Sequence, residues 1–261
     1  MTSLAPTVAA FGGTAYERSV LGVWCKIQAS LFGYRLLRIL FENGTKQVIL
    51  ITSVADPDKA GATVLARGSS FQNAYPVGYR LPGPVPAGTL YGTGLGSPSL
   101  LEFNPNAPAG GIDPDVTLLH ELVHAYRQAC GRWSPLPILR FVKPTTVTDS
   151  NTENNRFGNW EEWFAVVCEG IYAAEMGAHS VRTTHNNNLP YFAMEMSGQS
   201  QSRVFADKFG PAIVRIRNTE PLIYSVMRSS NAWFNPIREY EDLLMDFDTP
   251  GPFPKNFDVP N

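Results

Sequence analysis

Apolar positions along the chain follow two rhythms. From Val20 to Phe41 they recur at helical spacing, through Leu21, Trp24, Cys25 and Ile27 and then Leu36, Leu37, Ile39 and Leu40. The spacing predicts helix, with Gly33 as the break between two helices, and residues 1–17 before it read as a loose lead-in. After the turn signal Glu42-Asn43-Gly44, the runs KQVILITSV and ATVLARG are short, apolar and β-branched, which predicts strands. Residues 68–98 are dense in Gly, Pro, Ser and Tyr and read as loop, and SLLEFNP, Ser99 to Pro105, is a further short strand. Helical periodicity returns in DVTLLHELVHAYRQACG and in WEEWFAVVCEGIYAAEMG, separated by a polar, proline-rich loop over 132–158. The polar stretch HSVRTTHNNN follows. Two or three more helices are expected in 190–246, around Phe205–Arg217 and Pro236–Met245, before a proline-rich, extended tail. A few short strands set among more numerous helices predict an α+β fold. The chain reads as one domain, with its core at about 18–177, a helical C-terminal part at about 178–246 and the tail at 247–261.

Composition narrows the classes. With 261 residues, 44% of them hydrophobic, the chain can bury a sizeable core. Its net charge is −2 and no basic run stands out, which argues against nucleic acid as a partner. The longest apolar-looking stretch, LGVWCKIQASLFGYRLLRILF, is interrupted by Lys26, Gln28, Arg35 and Arg38, so no membrane span is expected. The N-terminus lacks the basic and apolar regions of a cleaved signal, and a soluble chain is expected. Cys25, Cys130 and Cys168 are far apart and odd in number, which reads as reduced thiols rather than a disulfide framework. The glycine loop GTGLG lacks the Lys-Ser/Thr of a phosphate-binding loop, and no helical pattern follows it.

Candidate chemistry concentrates on the helix with two of the chain's four histidines. Asp113 suits the N-cap and Pro114 the first helical position. Asp115 complements the positive helix end, and Gly131 supplies the stop. On this helix His120 and His124, four apart, share a face and can converge on one tetrahedral Zn²⁺. Glu121 is rotated by about 100°, outside the ligand set but within reach of a water at the metal. This is the physical content of the H-E-x-x-H motif: two ligands and one general base on one turn.

A catalytic zinc needs a third protein ligand. The longer motif with a third histidine is absent, because Arg127 stands at its glycine position and Cys130 at its histidine position. His179 and His185 lie in a polar stretch and read as surface histidines. The second helix offers Glu161 and Glu162 in an otherwise apolar first turn. Asn159 and Glu162 have capping-box spacing, so Glu162 has an alternative role of folding back on its own helix. Against that, Trp160, Trp163, Phe164, Val166 and Val167 make the helix a buried one, and a buried carboxylate wants a cation. Glu162 is therefore the expected third ligand, and Glu161 the carboxylate that orients a ligating histidine.

HELVHAY followed by NWEEWFA resembles the short-core gluzincin metallopeptidases. Anthrax lethal factor, clostridial neurotoxin light chains and bacterial effector metallopeptidases are of this type. The resemblance covers about residues 99–177, and its motif is specific for zinc hydrolysis but not for substrate. It implies a zincin-like fold: a small mixed sheet, an H-E-x-x-H helix and a second helix bearing the glutamate ligand. It also implies one zinc per chain, a protein or peptide substrate, and export of the chain into a target cell. The strand SLLEFNP would then be the sheet edge above the site. The tyrosine that lethal factor carries four residues before the helix Asn is here Asn155, which leaves the transition-state donor open among Tyr126, Tyr172, Tyr191, Tyr224 and Tyr240. By analogy with the late Arg and Tyr of the neurotoxin light chains, Arg238 with Tyr240 is one such candidate. The expected activity is a zinc-dependent endopeptidase with Glu121 as general base. The alternatives are a zinc-stabilised binding module without turnover, or another zinc hydrolase such as a cell-wall amidase.

Overall fold

The computed structural model describes residues 1–42, 47–54, 62–66, 72–81, 91–106, 112–143, 157–182, 185 and 198–246. Among these the fold is α+β, with a small mixed sheet and eight α-helices. The expected loose lead-in is instead a hairpin. Strand β1 (Thr2–Ala5) pairs antiparallel with β2 (Val8–Phe11), and α1 (Thr14–Ala29) starts directly after it. The four-residue strands are too short to show a strand period. The hairpin is anchored instead by Val8 and Ala10, buried on one face, and by Glu17, which binds the N-terminal amine and the Thr2 hydroxyl.

Helix α1 gives way to α2 (Leu31–Glu42) at Ser30, not at Gly33. The Ser30 hydroxyl caps α2 by accepting the Gly33 N–H at 2.8 Å. Gly33 matters for a different reason: a Cβ there would lie 2.2 Å from the Ile27 carbonyl oxygen, so only glycine lets α2 start so close to α1. The next strands, β3 (Ile49–Ser53), β4 (Ala62–Ala66) and β5 (Ser99–Phe103), lie where the apolar runs place them. The sheet order is β1-β2-β3-β5-β4. Strands β2, β3 and β5 run parallel, and β4 closes the sheet antiparallel to β5. SLLEFNP is thus an interior strand, and β4, not β5, is the edge. The alternation of buried Ser99, Leu101 and Phe103 shows which face of β5 meets the core.

Helix α3 (Pro114–Ala129) packs on β4, β5 and α1 and against α4 (Trp160–Glu175). The end of α3 shows why Gly131 is there. Its φ is +66°, and a Cβ would meet the Gly94 backbone at 2.4 Å. The GTGLG loop is accordingly a packing turn over the end of α3, where Ser97 N–H bonds the Gln128 carbonyl at 3.0 Å.

The C-terminal part contains α5 (Gly198–Lys208), α6 (Gly210–Thr219), α7 (Pro221–Ser229) and α8 (Pro236–Asp246). The single helix expected over Phe205–Arg217 is two helices. Pro211 and Pro221 each sit in the first turn of a new helix, the position where a missing N–H costs nothing. The tail at 247–261 lies outside the described residues, as do Tyr191 and Asn155. No described helix is long and apolar enough to cross a membrane.

Candidate metal centre

Helices α3 and α4 cross so that α3's histidine face meets the first turn of α4. The side chains of His120 and His124 are buried at 3% and 5% exposure, that of Glu162 is 18% exposed, and all three converge. The two Nε2 atoms stand 3.0 Å apart, and Glu162 Oε2 is 3.3 Å from His120 Nε2 and 3.1 Å from His124 Nε2. Four donors around a metal at 2.0–2.1 Å have mutual spacings of about 3.3 Å. The observed separations match that geometry.

Glu162 does not fold back on its helix. Asn159 caps α4 by accepting the Glu162 N–H at 3.0 Å, but the Asn159 N–H goes to the Phe157 carbonyl. Half of the capping box is made, and the carboxylate is left for the histidines. Burial pushes the Glu162 carboxyl up, but the neighbouring His124 and His120 outweigh it and hold it well below the usual carboxylate range.

The structure brings in a donor that sequence reasoning placed on the surface. His185 Nε2 lies 3.2 Å from the same Glu162 oxygen. Its ring stacks on that of His120, with centroids 5.6 Å apart and planes 14° from parallel. Nitrogen donors of His120 and His185 and a Glu162 oxygen all lie within 4.8 Å of one another, a group able to hold a metal ion. His179 is exposed and joins no such group among the described residues.

Behind the histidines the roles of two glutamates differ from expectation. The His120 Nδ1 N–H faces Glu169 Oε2 at 2.8 Å, leaving Nε2 for the centre. Glu169 is 1% exposed and is held by Arg182 through contacts of 2.6 and 2.7 Å. Burial pushes its carboxyl up, yet Arg182 and His120 outweigh this and keep it ionised below the ordinary range. Glu169 thus does what was expected of Glu161. The signal was in the sequence: Glu169 comes seven residues after Glu162, two turns along the same helix face. Glu161 is turned away, fully buried and gripped by Arg127 Nε at 2.9 and 2.7 Å, with the Ser134 N–H donating at 2.6 Å.

Glu121 lies beside the cluster, near enough for the charges of His120, His124, Glu162 and Arg182 to act on it. Burial raises its pKa. No described residue donates a hydrogen bond to its carboxylate. On the other side, the Trp133 ring packs against His124 at 5.2 Å, and His124 Nδ1 is buried with no hydrogen-bond partner among the described residues.

The candidate transition-state donors are engaged elsewhere. Arg238 donates to the Ser230 and Ala232 carbonyls, and the Tyr240 ring lies against Gly210. Neither contacts the cluster among the described residues. Tyr172 donates to Asp115 at 2.7 Å and Tyr224 to Glu241 at 2.7 Å, while Tyr126 is buried beside Cys130. No protein-family model matches the chain, and no curated protein or solved structure matches it.

Proposed function

We propose that the chain is a zinc-dependent endopeptidase of the gluzincin type. The observation that carries this is the convergence of His120, His124 and Glu162 at tetrahedral spacing, with Glu121 beside them and free of other hydrogen-bonding partners among the described residues. The donor set of imidazoles and one carboxylate suits zinc, and inward-facing lone pairs in a buried site call for a cation. A zinc ion held by His120, His124 and Glu162 would supply Lewis acidity toward a carbonyl and a bound water.

The remaining steps belong to the protein. The Glu121 carboxylate takes the proton from the attacking water and passes it to the leaving amine nitrogen. Burial raises its pKa, the direction that lets a base also deliver the proton as an acid. Glu169 and Arg182 fix the tautomer and orientation of His120. Strand β4, antiparallel to β5, packed beside α3 and at the sheet edge among the described residues, would offer its backbone ladder to an extended peptide added as a strand. The peptide or protein substrate would lie along it.

One observation favours a second reading, a zinc-stabilised binding module. His185 adds a fourth protein donor, and fully protein-ligated zinc sites are structural ones. Two variants separate the readings. Glu121→Gln is expected to keep about one zinc per chain and to abolish cleavage of a denatured-protein or peptide-library substrate, whereas Glu162→Ala is expected to lose the metal. Glu162→Ala with full zinc and full cleavage would remove Glu162 from the ligand set. Wild-type protein that carries zinc but cleaves nothing would favour the binding module.

A further inference from the structure

We infer that His185 is a displaceable fourth ligand, which closes the metal centre in the resting protein and leaves it when a substrate carbonyl arrives. This rests on reading the cluster as a metal site. His185 Nε2 is as far from Glu162 Oε2, 3.2 Å, as the other two imidazoles are at 3.3 and 3.1 Å. Measured from Glu162, the three separations match the spacing of neighbouring ligands around one metal, about 3.3 Å, and the His185 and His120 donors lie within 4.8 Å of each other. The stacking of its ring on His120 holds it in that direction.

The four donors differ in how they are anchored. The side chains of His120 and His124 are 3% and 5% exposed, and Glu162 is 18% exposed on the capped first turn of α4. The two imidazoles are buried where α3 meets α4, and Glu162 is mostly covered there. The His185 side chain is 45% exposed, and the cluster holds it through Glu162 at 3.2 Å and the stacking on His120, which makes it the least buried of the four donors. Glu121 chemistry needs one open position, and four protein donors leave none. The two requirements meet if the least anchored donor is the one that yields. Substrate then competes with His185 for the fourth position, and access to the site is set in part by a residue that takes no part in the chemistry.

The test uses full-length protein stripped of metal by a chelator and titrated with Co²⁺, whose visible absorption reports its ligands. His185→Ala is compared with wild type, and acetohydroxamate serves as the incoming ligand. His185→Ala is expected to bind Co²⁺ at least about tenfold more weakly, since a direct ligand matters no less than the outer partners whose loss costs that much. Its band is expected to change shape and intensity. Acetohydroxamate is expected to bind about tenfold more tightly to the variant, the competitor having gone. The metal-free variant should melt with wild type, because the side chain is exposed.

Identical Co²⁺ affinity and spectrum in the two proteins would overturn the inference, reducing His185 to a hydrogen-bond partner of Glu162 and leaving the peptidase reading standing. A changed spectrum with no gain in acetohydroxamate binding would make His185 a permanent structural ligand, also against the inference. Wild type that takes up no Co²⁺ would remove the metal centre and this inference together.

Discussion

Each α3 imidazole of the cluster turns one nitrogen toward Glu162 and has a second that must be satisfied elsewhere. For His120 the second nitrogen is met by Glu169, itself clamped by Arg182. Replacing Glu169 with Gln keeps the size but removes the charge that holds the His120 tautomer and leaves Arg182 without its carboxylate. Zinc affinity is expected to fall by about 10–100-fold, as for other outer partners of metal ligands. A competition titration against a chromophoric chelator measures it, and unchanged affinity would show that Glu169 serves only the packing of α4. His124 has no such partner among the described residues, so the same loss is not expected from any single neighbour of its Nδ1. The pair His120 and His124 was legible in the sequence because i, i+4 spacing on a helix fixes a shared face. Glu162 was legible because a carboxylate in so apolar a helix needs a cation. His185 was not, since a polar stretch carries no periodicity to say which way a side chain points.

At the level of elements, the centre depends on how α3 and α4 are locked together. Arg127 does this from the position where the longer motif would have glycine. Buried at 2% exposure, it holds Glu161 through Nε, donates to Glu220 at 2.5 Å through Nη1, and reaches the Arg132 carbonyl through Nη2. Its guanidinium also lies over the Trp160 ring at 4.5 Å. One side chain thus ties α3, the first turn of α4 and the junction of α6 and α7. Arg127→Met removes the cation and leaves the fully buried Glu161 without its charge partner, while Glu220 keeps Arg132 at 2.7 Å, so a loss of about 3–5 kcal/mol is expected in urea unfolding of the metal-free protein. Adding Glu161→Gln is expected to recover much of it, because the cost lies in that stranded charge. A loss under about 1 kcal/mol would mean that water already reaches this cluster. Helices α3 and α4 were readable from the chain to within a residue or two, whereas α1 starts six residues before the expected Val20 and the break to α2 falls at Ser30, three residues before Gly33. The strand order was not, because pairing between β3, β5 and β4 is a non-local choice that apolar runs of equal character do not encode. The prolines that begin α6 and α7 were visible signals of new helices, hidden inside a continuous apolar rhythm.

For the whole molecule, folding, proton binding and metal binding are linked through His120. Burial disfavours its charged form, but Glu169 and Glu162 outweigh burial and bring its pKa up to about 9 from an ordinary 6.5. Between those values the folded metal-free chain binds a proton that the unfolded chain does not. His120 therefore stabilises the fold fully below about pH 6.5, and that contribution is lost as pH rises through about 9. Glu162 and Glu169 are shifted the other way, so theirs is present above about pH 4.5 and is lost as pH falls. Stripped of metal, the protein is expected to be most stable between about pH 4.5 and 6.5, and its melting temperature to drop by roughly a few degrees toward pH 9. Zinc should reverse the alkaline side. It needs the unprotonated imidazole, so binding expels the His120 proton, and apparent affinity climbs by about tenfold per pH unit until His120 titrates. The added stability follows affinity by mass action. Melting temperatures of chelated and zinc-loaded protein across this range should therefore diverge as pH rises. A constant gap between the two curves would mean that no proton leaves on binding, and His120 could not then be a ligand.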